Sequence, residues 1–462
     1  MKNLDYSHIY FIGIGGIGMS ALARWFNKEG KKVAGYDKTA TSLTSELQQE
    51  GILIHFQDDI RLIPENFKDS ATTLVIYTPA IPKDHQELLY FQKNNFTILK
   101  RSQALGYITQ KHKTIAIAGT HGKTTTSSMV AHILTHAGKN CTAFLGGITA
   151  NYHTNLLLGD ASKGEQIIVV EADEYDRSFL TLSPFIEIIT NIEADHLDIY
   201  RTEEAVKEAF YEFALKNHKE GTILLNEKSP IPHLEKIQSQ TQIIHYGKSK
   251  NIQLSAQNIR VDNGHFYFDL ISEKLIIKDI KLLVFGEHNV ENATAAAYSS
   301  FLMGVKPAVI KEALASFKGV KRRFEYIVKN DKHIFIDDYA HHPTEIEAFI
   351  KAVKAIYPHK KLTLCFQPHL YTRTRDFAEG FSKSLSMADE VLLLEIYPAR
   401  ELPIEGVNSK MLLKKITSPS KKVVSKEEVL QIVTKEKPEL FATVGAGDID
   451  ALTGKIKLIL EN

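Results

Sequence analysis

The sequence predicts an α/β protein of several domains built on mainly parallel sheets, and three observations carry that expectation. Short apolar runs alternate with helical stretches along most of the chain, as in successive β-α-β units. Two of those runs empty into glycine loops that open helices, at Gly13–Gly18 and Gly119–Thr125. Others, such as Ile167-Ile168-Val169-Val170, are apolar without interruption, as suits a parallel strand covered on both faces. At 462 residues the chain has length for three domains of about 150 residues each. Changes of character near Lys111 and Gly319 set them at 1–110, 111–317 and 318–462.

The first unit begins with the strand His8–Ile12 and the loop Gly13-Ile14-Gly15-Gly16-Ile17-Gly18. A helix carrying Met19, Leu22, Ala23 and Phe26 follows, and a second strand ends at Tyr36-Asp37. Gly-x-Gly-x-x-Gly after a strand, with an acid about twenty residues on, is the dinucleotide fingerprint. It makes a nicotinamide dehydrogenase one reading. The loop by itself says that a diphosphate or a similar anion rests on a helix end, with Gly13, Gly15, Gly16, Ile17, Gly18 and Asp37 as the candidate residues. A tight strand-to-helix turn is the plainer alternative.

The second unit opens on Ile115–Ala118 and Gly119-Thr120-His121-Gly122-Lys123-Thr124-Thr125. Glycines let backbone N–H groups turn inward around phosphate oxygens, and the helix that follows presents its positive end. Lys123 is placed to reach the outer phosphates of a triphosphate and Thr124 to bind magnesium. Only two residues separate Gly119 from Gly122, where the usual P-loop has four. Two later apolar runs stop at acids, at Glu171-Ala172-Asp173-Glu174 and, after Ile186–Ile192 with Glu187 inside it, at Glu193-Ala194-Asp195-His196. Ligands collect outside the carboxyl ends of parallel strands. Glu171 and His196 are therefore expected beside the Lys123 loop, where they can hold magnesium. Asp173, Glu174 and Glu193, taken singly, also suit solvated loop ends. Downstream, Asn289 or Asn292 reads as the cap of an alanine-rich helix, with contact to an adenine edge as the alternative.

In the third unit four apolar runs end in polar loops: Asp337–Pro343, Gln367–Arg375, Tyr397–Glu401 and Gly445–Asp448. These loops should share one sheet edge. Their arginines suit carboxylate or phosphate ligands, because the guanidinium fork matches both.

Composition narrows the classes. With 56 basic and 55 acidic residues, nothing favours nucleic acid or a charged membrane surface. Two lone cysteines, Cys141 and Cys365, offer neither a disulfide framework nor a zinc site. No apolar run approaches a membrane span, and the first strand leaves no room for a signal peptide, so a soluble cytoplasmic protein is expected. A dehydrogenase leaves the second loop idle and a plain ATPase leaves the first idle. An ATP-dependent ligase acting on a diphosphate-bearing substrate uses both.

These motifs also resemble a family, the Mur ligases of peptidoglycan synthesis, along nearly the whole chain. The resemblance is carried by Gly119–Thr126, Glu171–Glu174, Thr190–His196, His288–Ala293 and Asp338–Pro343. Gly13–Ser20, Gln367-Pro368-His369 and Tyr397–Glu401 are similar to the branch that adds L-alanine. The resemblance implies Rossmann-like first and third domains around a P-loop-type ATPase domain. It implies ATP and Mg2+ as cofactors, and small-molecule substrates, UDP-N-acetylmuramate and L-alanine, joined through an acyl phosphate. Lys123, Glu171, His196, Arg323 and His341 are then the catalytic candidates. Gly119, Thr120, His121, Gly122, Lys123, Thr124, Thr125, His288, Asn289, Asn292, Arg323, Asp338 and His341 are candidates for ATP. Thr124, Glu171 and His196 are candidates for the metal, and Arg373 for a substrate carboxylate or phosphate. A sibling ligase that recycles tripeptide and a non-catalytic nucleotide-binding protein are the alternatives, and monomer and homodimer both stay open.

Overall fold

Residues 9–12 are almost completely buried, and so are 115–118 and 167–170, because each strand has apolar layers on both faces. The computed structural model describes residues 6–193, 197–262, 265–399 and 401–461. Its chain divides into two units, one holding Met1–Ile259, Tyr267–Lys281 and Val290–Phe317, the other Arg260–Phe266, Leu282–Asn289 and Lys318–Asn462.

The first unit contains a five-stranded parallel sheet of β1 (His8–Ile12), β2 (Lys32–Tyr36), β3 (Leu53–His55), β4 (Thr73–Tyr77) and β5 (Thr97–Lys100), in the order β3-β2-β1-β4-β5. A ten-stranded sheet follows in the order β15-β14-β13-β12-β11-β10-β6-β9-β7-β8. Its strands are β6 (Lys113–Ala118), β7 (Cys141–Phe144), β8 (Leu156–Leu157), β9 (Ile167–Glu171), β10 (Ile186–Ile189), β11 (Thr222–Asn226), β12 (Gln242–Gly247), β13 (Leu254–Asp262), β14 (His265–Ser272) and β15 (Ile276–Leu282). From β13 through β7 neighbouring strands run parallel, and β8 turns antiparallel to β7. The β13–β15 extension was not read from the sequence.

β6 lies between β9 and β10, so the chain leaving it enters the crevice where strand order reverses, the usual ligand position in an open α/β sheet. Glu187 does not interrupt β10. It is fully buried there, and desolvation pushes its carboxyl well above the ordinary range. β10 instead ends early, at Ile189, and frees Thr190–Glu193 to brace the glycine loop.

One apolar cluster runs from the first sheet into the second, joining Ile9, Leu22 and Leu105 with Ile168, Phe179 and Phe210. The helix Arg101–Thr109 sits at this seam, where Thr181 Oγ1 donates to the Ser102 carbonyl at 2.8 Å.

The second unit holds a six-stranded sheet of β16 (Glu325–Lys329), β17 (Ile334–Asp338), β18 (Leu362–Phe366), β19 (Glu390–Leu393), β20 (Ser420–Val423) and β21 (Leu440–Val444). Its order is β16-β17-β21-β18-β19-β20, parallel except for β16 against β17. The strand ends at Asp338, Phe366, Leu393 and Val444 therefore share one edge, as the sequence led us to expect. Among the described residues no helix is long and apolar enough to cross a membrane.

Candidate active site

The loop after β6 is held open by its neighbours. Gly119 has φ +131°, and a Cβ there would stand 2.1 Å from Thr190 Oγ1, so no other residue fits. Thr190 Oγ1 donates to the His121 carbonyl at 2.5 Å, and the His121 amide donates to Asn191 Oδ1 at 2.8 Å. Thr120 is tied by its amide to the Asn191 carbonyl at 3.1 Å and by its hydroxyl to the Glu193 amide at 2.9 Å. Gly122, at φ +85° and with Asn292 Oδ1 2.8 Å from where a Cβ would lie, turns the chain into the helix Lys123–His136. No side chain caps that helix. Thr124 and Thr125 thus sit in a first turn whose amides suit an anion.

Lys123 Nζ donates to the Gly119 carbonyl at 2.6 Å and to both oxygens of Glu174, at 3.0 and 2.8 Å. Burial works against its ammonium, but Glu174, Asp173 and Glu171 outweigh that and raise its pKa. Glu174 is not a solvated loop end: it is 2% exposed, and Tyr200 donates to its carbonyl at 2.6 Å. The segment after it carries two adjacent non-glycine residues in the left-handed region, Asp176 at φ 52° and Arg177 at φ 54°. Such strain persists where surrounding contacts impose it. Glu171, at the end of β9, accepts the Gly146 amide at 2.8 Å and the Ser127 hydroxyl at 3.3 Å. Ser127 also donates to the Thr124 carbonyl at 3.1 Å, so Glu171 lies against the start of the phosphate-loop helix. His196 lies outside the described residues.

The other glycine loop, after β1, opens the helix Ile17–Lys28 from Gly16. Here the Gly15 amide is taken by Asp37 Oδ2 at 2.7 Å, and Asp37 Oδ1 accepts the Thr39 amide at 3.1 Å. Asn155, from the second sheet's segment, donates to the Ile17 carbonyl at 2.6 Å.

Neither Asn289 nor Asn292 stands at a cap, because the helix already opens at Glu287. Asn289 Nδ2 turns back to the Phe285 carbonyl at 2.6 Å, and the His288 ring folds over Gly286.

In the second unit Asp338 fastens two loops, accepting the Phe324 amide at 2.6 Å and the Ala340 amide at 2.7 Å. Burial pushes its carboxyl up to about 6, against the pull of Arg323. Arg323 packs over Tyr339, 5.1 Å from the ring centroid, with Glu345 3.9 Å away. His341 is held by burial, and further by Arg373 and Arg323, down to about 4 against the opposing Glu345, so its ring is neutral at physiological pH. Arg373 is 9% exposed on a short helix, Tyr371–Asp376, preceded by Leu370 at φ 68°. His341, His369 and Arg373 thus cluster at the strand-end edge, the two histidine rings 6.2 Å apart.

Three family models match in succession: "Mur ligase family, catalytic domain" over residues 8–113, "Mur ligase middle domain" over 117–300, and "Mur ligase, glutamate ligase domain" over 322–455. The chain belongs to the Mur ligase family. Among relatives of this Mur ligase, the UDP-N-acetylmuramate–L-alanine ligase of Cytophaga hutchinsonii is 50% identical, covering 99% of this chain and 98% of its own. That of Flavobacterium johnsoniae is 48% identical, covering 98% of each. The solved UDP-N-acetylmuramate-alanine ligase of Thermotoga maritima superposes with a TM-score of 0.79 at 29% identity, over 97% of this chain and 98% of its own.

For this Mur ligase, sequence reasoning missed the clamp on Lys123. Glu174 lies in the Glu171–Glu174 motif, but nothing in the pattern separates a buried acid from a solvated one. In the sequence Thr190 and Asn191 stand only within the Thr190–His196 motif, and their hold on the loop needs the neighbouring strand. Arg322 was also passed over, although it joins Asp337 at 3.2 Å and the Gly445 carbonyl at 2.6 Å.

Proposed function

We infer that this Mur ligase uses ATP to activate the lactyl carboxylate of UDP-N-acetylmuramate and then joins it to L-alanine, releasing ADP and phosphate. The observation that carries the reading is identity of 50% across 99% of the chain to an L-alanine-adding ligase. It is supported by a phosphate loop whose lysine already grips a carboxylate.

A carboxylate resists an amine because it is anionic and has no leaving group. Transfer of the γ-phosphoryl gives an acyl phosphate, the alanine amine attacks its carbonyl carbon, and phosphate departs. Phosphoryl transfer asks for positioning and neutralised charge more than covalent help. Gly119–Thr125 are assigned to the nucleotide phosphates, with the uncapped first-turn amides of Lys123–Thr125 as donors, since those of Thr120 and His121 are taken by Asn191. Lys123 exchanges Glu174 for the migrating phosphoryl and neutralises its charge.

The residues fit a divalent cation as well: the Glu171 carboxylate stands beside the Thr124 turn, with His196 as a further assigned ligand. Bound there, Mg2+ supplies charge neutralisation on the phosphates. Gly13, Gly15–Gly18 and Asp37 are assigned to the UDP moiety, and His288, Asn289 and Asn292 to adenine. In the second unit Arg323, Asp338 and neutral His341 are assigned to ATP, and Arg373 to a substrate carboxylate. The domains 1–110, 111–317 and 318–462 divide these tasks. Work in the cytoplasm on small molecules follows from the substrates.

Phosphate release from ATP and magnesium, with UDP-N-acetylmuramate and L-alanine, D-glutamate, tripeptide or no acceptor, tests the reading. Release that needs both the UDP-sugar and L-alanine is expected. Release with tripeptide instead would move the chain to the recycling branch, and no release with any acceptor would leave a nucleotide-binding protein.

A further inference from the structure

The first glycine loop carries no cation of its own to add to the helix end that faces an anion. Residues 13–23 contain no basic side chain. Arg24, the first one after it, is committed to Glu46 and Glu50 at 2.8 Å each. Asp37 brings a negative charge onto the Gly15 amide, at the mouth of the loop. An anion settling there meets repulsion on the Gly15 side, so only the Gly16–Gly18 side, where the helix Ile17–Lys28 begins, remains open to it.

Arg101 lies on that side. It starts the helix Arg101–Thr109, and its guanidinium rests directly on Gly18: a Cβ at Gly18 would stand 2.7 Å from Nη1 and 3.2 Å from Cδ. Gly18 has ordinary helical backbone, so the missing side chain makes room for the arginine rather than for an unusual φ. The ion-pair partner of Arg101 is Asp173, and at 4.0 Å it is loosely held. Asp173 belongs to the segment between Glu171 and Glu174, whose next acid, Asp176, is tethered by Lys100 at 3.5 Å.

We propose that Arg101 is the diphosphate-binding cation of the first glycine loop, supplied from a neighbouring helix because the loop carries none. The proposal rests on the reading of a UDP-sugar as substrate. Arg101 leaves Asp173 and forms charge-assisted hydrogen bonds with the phosphate oxygens at Gly16–Gly18. The guanidinium fork suits that role, since it can grip two oxygens at once.

Titration calorimetry with UDP alone, on wild-type protein, Arg101→Ala, Arg101→Lys and Asp173→Asn, tests it, with phosphate-release kinetics alongside. Arg101→Ala is expected to weaken UDP on the order of tenfold or more and to raise KM for the UDP-sugar in step. KM for ATP should stay within about twofold of wild type, Arg101→Lys should recover part of the loss, and Asp173→Asn should leave UDP affinity unchanged. UDP affinity unaltered in Arg101→Ala would overturn the proposal. If only KM for the complete UDP-sugar rose, the arginine would contact the lactyl carboxylate and the diphosphate assignment would fail. An equal loss in Asp173→Asn would make Arg101 a mere anchor for the acidic segment. The two readings separate cleanly: a wild-type protein that binds UDP but shows no alanine-dependent phosphate release sinks the ligase reading and leaves the Arg101 result to stand or fall on calorimetry.

Discussion

The two glycine loops of the first unit share a backbone plan and differ in the charges around it. Each follows a buried parallel strand and opens a helix without a side-chain cap. After β6 the loop contains its own lysine, and a buried carboxylate, Glu174, holds that lysine in place. After β1 the loop contains no cation and has an acid, Asp37, hydrogen-bonded to one of its amides. The backbone plan provides amides for phosphate in both places. Under the proposed function the side chains set the two loops apart, because a lysine beside the phosphates can neutralise a phosphoryl group as it moves.

The comparison breaks most sharply at Lys123. Lys123→Ala should lower kcat by roughly a thousandfold or more while the far-ultraviolet spectrum and UDP affinity stay as in wild type. Near-normal turnover would mean that the two loops are equivalent holders. Glu174→Ala comes next. It leaves an ammonium buried without its partner, at a cost of about 3 kcal/mol, read as a lower urea midpoint. Saturating ATP should restore part of that stability, because phosphate then takes the place of the carboxylate. An unchanged midpoint would show that Lys123 reaches solvent. Glu171→Ala should raise the magnesium concentration for half-maximal rate on the order of tenfold and leave UDP affinity alone. An unshifted magnesium titration removes Glu171 from the metal site.

The smallest effects concern pH, and the two regions should respond with opposite sign. Behind the first loop, Glu87 is fully buried and accepts a hydrogen bond from Tyr10 at 2.8 Å. Burial pushes its carboxyl up to about 8. The folded state then binds the proton more tightly than the unfolded state, so this contribution is present at low pH and is lost as pH rises toward about 8. His132, on the helix opened by Lys123, bonds Tyr152 at 2.8 Å and Ser316 at 3.0 Å, and burial brings it down to about 4. Its contribution is present above pH 6.5 and is lost as pH falls toward about 4. Urea midpoints measured across this range should flatten on the alkaline side in Glu87→Gln and on the acid side in His132→Asn. The reverse pattern would refute both assignments.

Much of the fold was legible because apolar runs ending in glycine or acids have few alternatives. β18 and β21 end at Phe366 and Val444, directly before the polar loops expected from Gln367 and Gly445. Glu187 sits inside β10, where a buried side chain costs the strand no ladder hydrogen bonds and burial pushes its carboxyl pKa upward. Asn289 misled as a cap because asparagine in a first helical turn looks the same whether it faces the helix or the preceding carbonyl. β13–β15 escaped notice because their alternation of polar and apolar residues is weak beside the continuous runs of the buried strands.

By itself the sequence determined the α/β class, both phosphate-type loops and the membership of the chain in its family. Those depend on local properties: strand periodicity, glycine where the backbone must turn, and a lysine at a helix start. Tertiary structure decided which charges those loops meet. Glu174 reaches Lys123 across 51 positions of sequence, Asp37 reaches Gly15 across 22, and Arg101 comes to Gly18 from a helix beyond the fifth strand. Electrostatic energy depends on separation in space, and only the packed sheets fix that separation.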